Sequence, residues 1–348
     1  MKVKYIALVI SLCMLLASVI IVGNFVISKK RIYDSGYDYV EDDRTANVNV
    51  MLNRPAGWEK IQTGRIALSG DIFEVIDGST ATIPVTAELA RQFLDASDSD
   101  IDNYVDHNTT HKAYENLIYS SANISRSEKR YQYKEIIFVT EPSEDELAMA
   151  EEYGVTLEIE PIALDGFVFI THRDNPIDSL TVEQIQGIYS GKITNWKEIG
   201  GEDTEIIPYQ REANSGSQTA MEQMVMSGEE LMKPKIGYTI STMGGLIEKV
   251  GEYQNSTKSI GYTYLYYINN LYRSEDIKVL KIDGIYPDNE NLLSGSYPFT
   301  AAYYEVKTDK TAPEAAALYD YLLTEEGQRI VGLAGYCPVG VGGDGDED

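Results

Sequence analysis

The chain has 348 residues, 43 % of them hydrophobic and 24 % charged, which excludes a disordered, collagen-like or small disulfide-scaffold chain. Its 29 basic residues against 55 acidic ones leave a net charge of −26, the wrong sign for a protein that binds nucleic acid by neutralising phosphates. Cys13 and Cys337 are the only cysteines and make no disulfide framework, and three histidines supply no zinc-type cluster.

From Tyr5 to Ile27 there is no charge, and the run is long enough for a helix to cross a hydrocarbon core of ~30 Å. No small-x-small cleavage site follows it, and Leu12 stands before Cys13 where a lipobox needs a small residue. Residues 1–31 are therefore read as an uncleaved signal anchor in preference to a cleaved signal peptide. Lys2 and Lys4 balance Lys29, Lys30 and Arg31, so flanking charge does not set the orientation. Residues 32–65, with Glu41-Asp42-Asp43 and Pro55-Ala-Gly57, keep no apolar period and read as a flexible acidic linker. Residues 342–348 read as a frayed acidic tail rather than a calcium loop.

The body between them alternates strands and helices. Ile72–Ile76 is β-prone and runs into Asp77-Gly-Ser-Thr80, then a helical stripe of Leu89, Phe93 and Leu94. His107-Asn-Thr-Thr110 precedes Tyr114, Leu117 and Ile118 on one helical face. Ile136–Val139 is a strand, and Ser143-x-x-Glu146 after it is a capping box. Leu157–Pro161 and Gly166–Thr171 are further strands, Thr181-x-x-Gln184 caps a short helix, and Ile206-Ile207 leads to a helix starting near Ser217. This order predicts an α/β fold with mainly parallel sheets.

Three strand-to-helix turns are rich in small hydroxylated residues: Asp77-Gly-Ser-Thr80, Asn108-Thr-Thr110 and Asn214-Ser-Gly-Ser217. Open amides at a helix start attract an anion, and Ser or Thr hydroxyls add donors. Any one such turn is explained by ordinary N-capping. Arg211, four residues before Ser215, adds a planar fork suited to a tetrahedral oxyanion and tips the balance towards an anion site.

From Asp77 to Pro338 the chain resembles the phosphate-binding protein family of the phosphate ABC importer. The resemblance rests on Asp77-Gly-Ser-Thr-Ala-Thr-Ile-Pro84, His107 through Leu117, Phe138-Val-Thr-Glu-Pro-Ser143 and Tyr189-Ser-Gly-Lys-Ile-Thr-Asn-Trp-Lys197. Asn214-Ser-Gly-Ser-Gln-Thr219, Ser259-Ile-Gly-Tyr262 and the ending from Thr324 to Pro338 complete it. It implies a type II periplasmic-binding-protein fold, two α/β lobes joined by crossover hinge strands and preceded here by the membrane helix. Lobe one would be 66–163 with 301–341, and lobe two 164–300. Carried over position by position, the ligand residues would be Ser79, Thr80, Thr109, Thr110, Arg211, Ser215, Gly216 and Ser217, with Ser217 in place of the family's threonine. Glu141 would accept the proton of monohydrogen phosphate, where many relatives have Asp. An ionised carboxylate only accepts hydrogen bonds, so such a group would reject fully deprotonated sulfate. Surface capping by Glu141 is the competing explanation.

The remaining candidates are weaker. His107 and His111 have i, i+4 spacing without further metal ligands, and Asp165, Asp174 and Glu183 read as solvated surface rather than an acid/base pair. Tyr262, Tyr264 and Tyr266 alternate like a packed strand, and the basic stretch 119–135 reads as a surface excursion. The resulting expectation is a non-enzymatic solute-binding protein with no cofactor and no metal. It would be tethered at the cell membrane with its lobes outside the cytoplasm, or secreted if cleaved, and would hand phosphate to ABC permease subunits. A sensor or adhesion module on the same fold, or a binder of sulfate or molybdate, stands as the alternative.

Overall fold

The computed structural model describes residues 58–61, 66–255 and 257–339, all within the compact unit that spans 46–348. The apolar run, most of the linker and the acidic tail lie outside the described residues. Among the described residues no helix is long and apolar enough to cross a membrane.

The chain opens with β1 (Ile76–Gly78), α1 (Ile83–Leu94), α2 (Thr110–Ser121), β2 (Ile136–Val139) and α3 (Glu144–Glu152). A long strand β3 (Leu157–His172) leads to β4 (Ser179–Leu180), α4 (Val182–Tyr189), β5 (Ile207–Pro208), β6 (Gln210–Arg211) and α5 (Gly216–Ala220). Then come β7 (Thr239–Ile240), α6 (Met243–Gly251), β8 (Ser259–Tyr264), β9 (Ile277–Val279), β10 (Lys281–Ile282) and α7 (Asn289–Leu293). The C-terminal part holds β11 (Thr300–Thr308), α8 (Pro313–Leu322), α9 (Glu325–Leu333) and β12 (Cys337–Pro338). Both expected capping boxes form: Ser143 with Glu146 starts α3, and Thr181 with Gln184 starts α4. Each satisfies amides that the helix itself leaves open.

The main sheet runs β1-β2-β11-β3-β8-β5, with β9 and β12 also pairing with β3. β1 with β2 and β5 with β8 are parallel, as the alternation predicted. The centre is antiparallel instead, because β11 pairs antiparallel with both β2 and β3, and β3 with β8. The two strands expected at 157–161 and 166–171 are one continuous strand. Its first part, up to Gly166, lies against β11, and from Phe167 onward it lies against β8. One β-strand therefore carries the chain from one half of the sheet to the other.

Two other expectations change. Most of the β-prone run at 72–76 is a 3₁₀ turn over Gly70–Glu74 that buries Ile72 and Phe73, and β1 starts only at Ile76. Residues 58–61 of the stretch read as linker dock on α1. There Trp58 Nε1 donates to Glu88 Oε1 at 2.7 Å, Ile61 N donates to Gln92 Oε1 at 2.8 Å, and Ile61 is buried. Two apolar anchors in a polar stretch are too sparse to give a period, although burying Ile61 alone contributes roughly 1.5–3 kcal/mol.

One apolar cluster packs Tyr114, Leu117 and Ile118 of α2 against Ile137, Val139 and Val306. The larger cluster includes Phe167, Phe169, Tyr189, Tyr262 and Tyr264 on the β3–β8 side. Aromatic contacts stiffen it, Phe167 meeting Tyr264 and Tyr189 meeting Tyr262 edge-on with ring centroids 5.5 Å apart in each pair.

Candidate functional site

The parallel strands β1 and β2 end side by side, and the helices that follow start above their C-terminal ends. This is where open α/β sheets place ligands. The first two turns are tied together by Asp77, which is fully buried. Asp77 Oδ1 accepts from Gly78 N at 2.7 Å and Asn108 N at 2.9 Å, and Oδ2 accepts from Asn108 Nδ2 and Asn116 Nδ2, both at 2.9 Å. Burial raises its pKa, while Lys134 and the donated bonds pull it back. Lys134 is itself buried and donates to the carbonyls of Ile76 (2.8 Å) and Glu74 (3.1 Å). At least that residue of the basic 119–135 stretch is structural rather than a surface excursion.

His107 locks the same corner. Its Nδ1 lies 2.9 Å from Ser79 O and its Nε2 lies 2.8 Å from Thr86 Oγ1. Burial lowers its pKa to about 4, so the ring stays neutral. Gly78 is obligatory there, since a Cβ would fall 2.4 Å from Phe138 O and 2.7 Å from the imidazole. Among the described residues no group of His, Cys, Asp and Glu could hold a metal ion.

The expected ligand residues divide into cappers and exposed or open groups. Thr109 Oγ1 accepts from Lys112 N at 3.3 Å to cap α2, and Ser215 Oγ accepts from Gln218 N at 3.3 Å to cap α5. Ser79 is buried at the start of the turn before α1, with its amide on Phe138 O at 2.9 Å, and Thr80 follows it half-exposed. Thr110, Gly216 and Ser217 occupy first-turn positions of α2 and α5, where amides lack partners within the helix. Arg211 is buried in β6. Its Nε donates to Ile240 O at 3.0 Å, one Nη to Ser241 O at 2.7 Å and the other to Ser217 Oγ at 3.2 Å. Tyr262 OH receives the Arg211 amide at 2.9 Å and donates to Gln218 Oε1, so the tyrosine strand also positions the arginine.

The turns of the two halves meet. A Cβ placed on Gly216 would lie 2.2 Å from Thr140 Oγ1 and 2.8 Å from Thr110 Oγ1, so the start of α5 sits directly against the end of β2 and the start of α2. Asn214 Nδ2 donates to Asp145 Oδ2 at 2.9 Å, and Gln223 Nε2 donates to Pro142 O at 3.3 Å across the same junction. Asn214 adopts φ 62°, a left-handed turn that Asn tolerates well. Glu141 is exposed beside this junction.

Some important groups carry no local sequence signal. Thr140 is 4 % exposed, and Tyr114 OH donates to its carbonyl at 3.0 Å. Asp165, expected on the surface, is buried in β3, because the strand crosses the interior there. It accepts from Gly166 N (2.7 Å), Tyr266 N and Tyr303 OH (both 3.0 Å), and burial pushes its pKa up to about 7. Tyr336 packs on Tyr266 and Tyr303 and donates to Ala81 O, joining this crossover to the first turn.

Residues 132–326 match the family described as the PBP superfamily domain. The phosphate-binding protein PstS of Bacillus subtilis (strain 168) is 27 % identical over 179 residues, 51 % of this chain and 56 % of that protein. PstS of Borreliella burgdorferi is 27 % identical over 183 residues, covering 51 % of this chain and 64 % of its own length. The matched region thus spans somewhat over half of these relatives. Among solved structures, a putative phosphate ABC transporter substrate-binding protein with bound phosphate from Clostridium perfringens superposes with TM-score 0.57. It has 28 % identity and covers 76 % of this chain and 98 % of that one. An ABC-type phosphate transport receptor from Vibrio cholerae shares the fold, with TM-score 0.53 and 22 % identity over 75 % of this chain and 98 % of its own.

Proposed function

The chain belongs to the PBP superfamily, and on that premise we propose that it is an extracytoplasmic solute-binding protein that captures inorganic phosphate between two α/β lobes for an ABC importer. The observation that carries this reading is the meeting of the helix starts at Thr110 and Gly216, with Arg211 held against Ser217. Amides at two helix starts, hydroxyls and a guanidinium in one buried place are a donor set for a tetrahedral oxyanion. The similarity to the phosphate-bound Clostridium perfringens protein supports phosphate as the ligand.

In this reading Ser79, Thr80, Thr109 and Thr110 donate from one lobe and Arg211, Ser215, Gly216 and Ser217 from the other. Glu141 meets the ligand's O–H from the solvent side. The lobes are 66–163 with 301–341 and 164–300, a division supported by the change of partner along β3 after Gly166. The reaction is binding and release without covalent chemistry, in keeping with relatives that are binding proteins. Residues 1–31 tether the body to the membrane, where ABC permease subunits receive the ion. Calorimetric titration of phosphate, and separately sulfate, into the full chain tests this. Saturable phosphate binding without sulfate binding is expected, and a chain that binds neither refutes the reading.

A further inference from the structure

Thr140 directly follows β2 with its side chain 4 % exposed, and its Oγ1 has no hydrogen-bond partner of ordinary geometry. Burial, and then the charge of Asp165, keep the neighbouring Tyr264 phenol protonated against a smaller opposing influence of Thr140, and its O–H is given to Gly216 O at 3.2 Å. Thr140 Oγ1 and Thr110 Oγ1 both crowd the side of Gly216 where a Cβ would stand, at 2.2 and 2.8 Å from that position, so the two hydroxyls converge on the start of α5. Thr110 opens α2, a helix of 12 residues with open amides at its start. The backbone of Thr140 is held in place by Tyr114 OH, which donates to its carbonyl at 3.0 Å. The neighbouring carboxylate of Glu141 points instead to an exposed position.

A buried hydroxyl left without a well-formed hydrogen bond costs stability, a cost that a bound ligand oxygen would offset. We infer that Thr140 is a phosphate-contacting residue, its hydroxyl bonding a ligand oxygen from the buried side of the junction beside Thr110 and Gly216. This rests on the phosphate-binding reading above and adds a residue to it. A threonine hydroxyl both donates and accepts, so it serves a bare phosphate oxygen or a protonated one alike. This separates its role from that of an ionised carboxylate.

The test uses the full chain and inorganic phosphate, with Thr140→Val and Thr140→Ser beside the parent. Valine keeps the shape and removes the hydroxyl, whereas serine keeps the hydroxyl. Thr140→Val is expected to weaken phosphate binding about tenfold or more while the ligand-free protein melts at the same temperature or higher, since an unpaired buried hydroxyl has gone. Thr140→Ser is expected to stay within about threefold of the parent affinity. A residue that only packs would not move affinity and stability in opposite directions. Thr140→Val binding phosphate as tightly as the parent overturns the role of Thr140 and leaves the phosphate reading standing, as does an equal loss in both variants. A parent that binds no phosphate overturns both.

Discussion

Gly216→Ala is a sharp perturbation because it sets two opposing effects against each other. Within a helix, alanine is favoured over glycine by ~0.5–1 kcal/mol, so an unobstructed site would gain stability. Here the new methyl would lie 2.2 Å from Thr140 Oγ1, 2.8 Å from Thr110 Oγ1 and 3.2 Å from Thr140 Cβ. Thr140 Cβ stays 3.2 Å from the new methyl however χ1 is turned, so rotation relieves only part of the clash. Overpacking of this kind costs ~1–3 kcal/mol, which leaves a net loss of roughly 1–2 kcal/mol. For a body of this size that is a fall in melting temperature of roughly 2–8 °C. Phosphate affinity should fall as well, because the start of α5 is pushed away from β2. Scanning calorimetry and phosphate titration read both quantities. Adding Thr140→Ala to Gly216→Ala removes the shortest contact and should recover about half of the lost stability, a coupling that a double-mutant cycle isolates. A Gly216→Ala protein that melts at or above the parent temperature and binds phosphate unchanged would refute the close approach of the two halves.

Two further predictions follow from other parts of the structure. Asp165 titrates at ~3.9 in an unfolded chain, while burial holds it up to about 7 in the folded one. The folded state thus binds this proton more tightly, so the stability it contributes is full below about pH 4 and is lost as pH rises to about 7, by roughly 4 kcal/mol at most. Asp165→Asn should flatten that part of a plot of urea midpoint against pH, and parallel curves for the two proteins would count against it. Asn214→Gly keeps the left-handed turn at φ 62° and removes the bond to Asp145. An exposed bond is worth about 1 kcal/mol or less, so phosphate affinity should drop about two- to fivefold, with no further loss on adding Asp145→Ala. Additive losses would show that the pair does not act together.

The features legible in the sequence are those encoded within a few residues. Ser143 with Glu146 and Thr181 with Gln184 cap the helices they were expected to start, and Ile136–Val139 is the expected strand. The hydroxyl-rich turns sit at helix starts because capping chemistry is local, and two of their members, Thr109 and Ser215, do the ordinary capping that the sequence also allowed. What eluded the sequence depends on long-range burial. Asp77, Lys134 and Asp165 look like surface residues until the strands that bury them are assembled. Thr140 resembles any threonine at a strand end, and its importance lies in a helix start 76 residues away, at Gly216. The antiparallel centre is not legible in the sequence because β11 lies late in the chain, far from the strands it joins.

The position of β11 bears on the order in which the protein can be assembled. The strand made from Thr300–Thr308 lies between β2 and β3, which end and begin more than a hundred residues earlier. During synthesis, which proceeds at ~5–20 residues per second, the facing edges of β2 and β3 therefore wait for many seconds without their common partner. Pairing across so long a separation is slow and leaves open edges prone to join other chains. The main sheet therefore cannot close until Thr300–Thr308 has been made, and over that interval β2 and β3 are edges that a chaperone could cover.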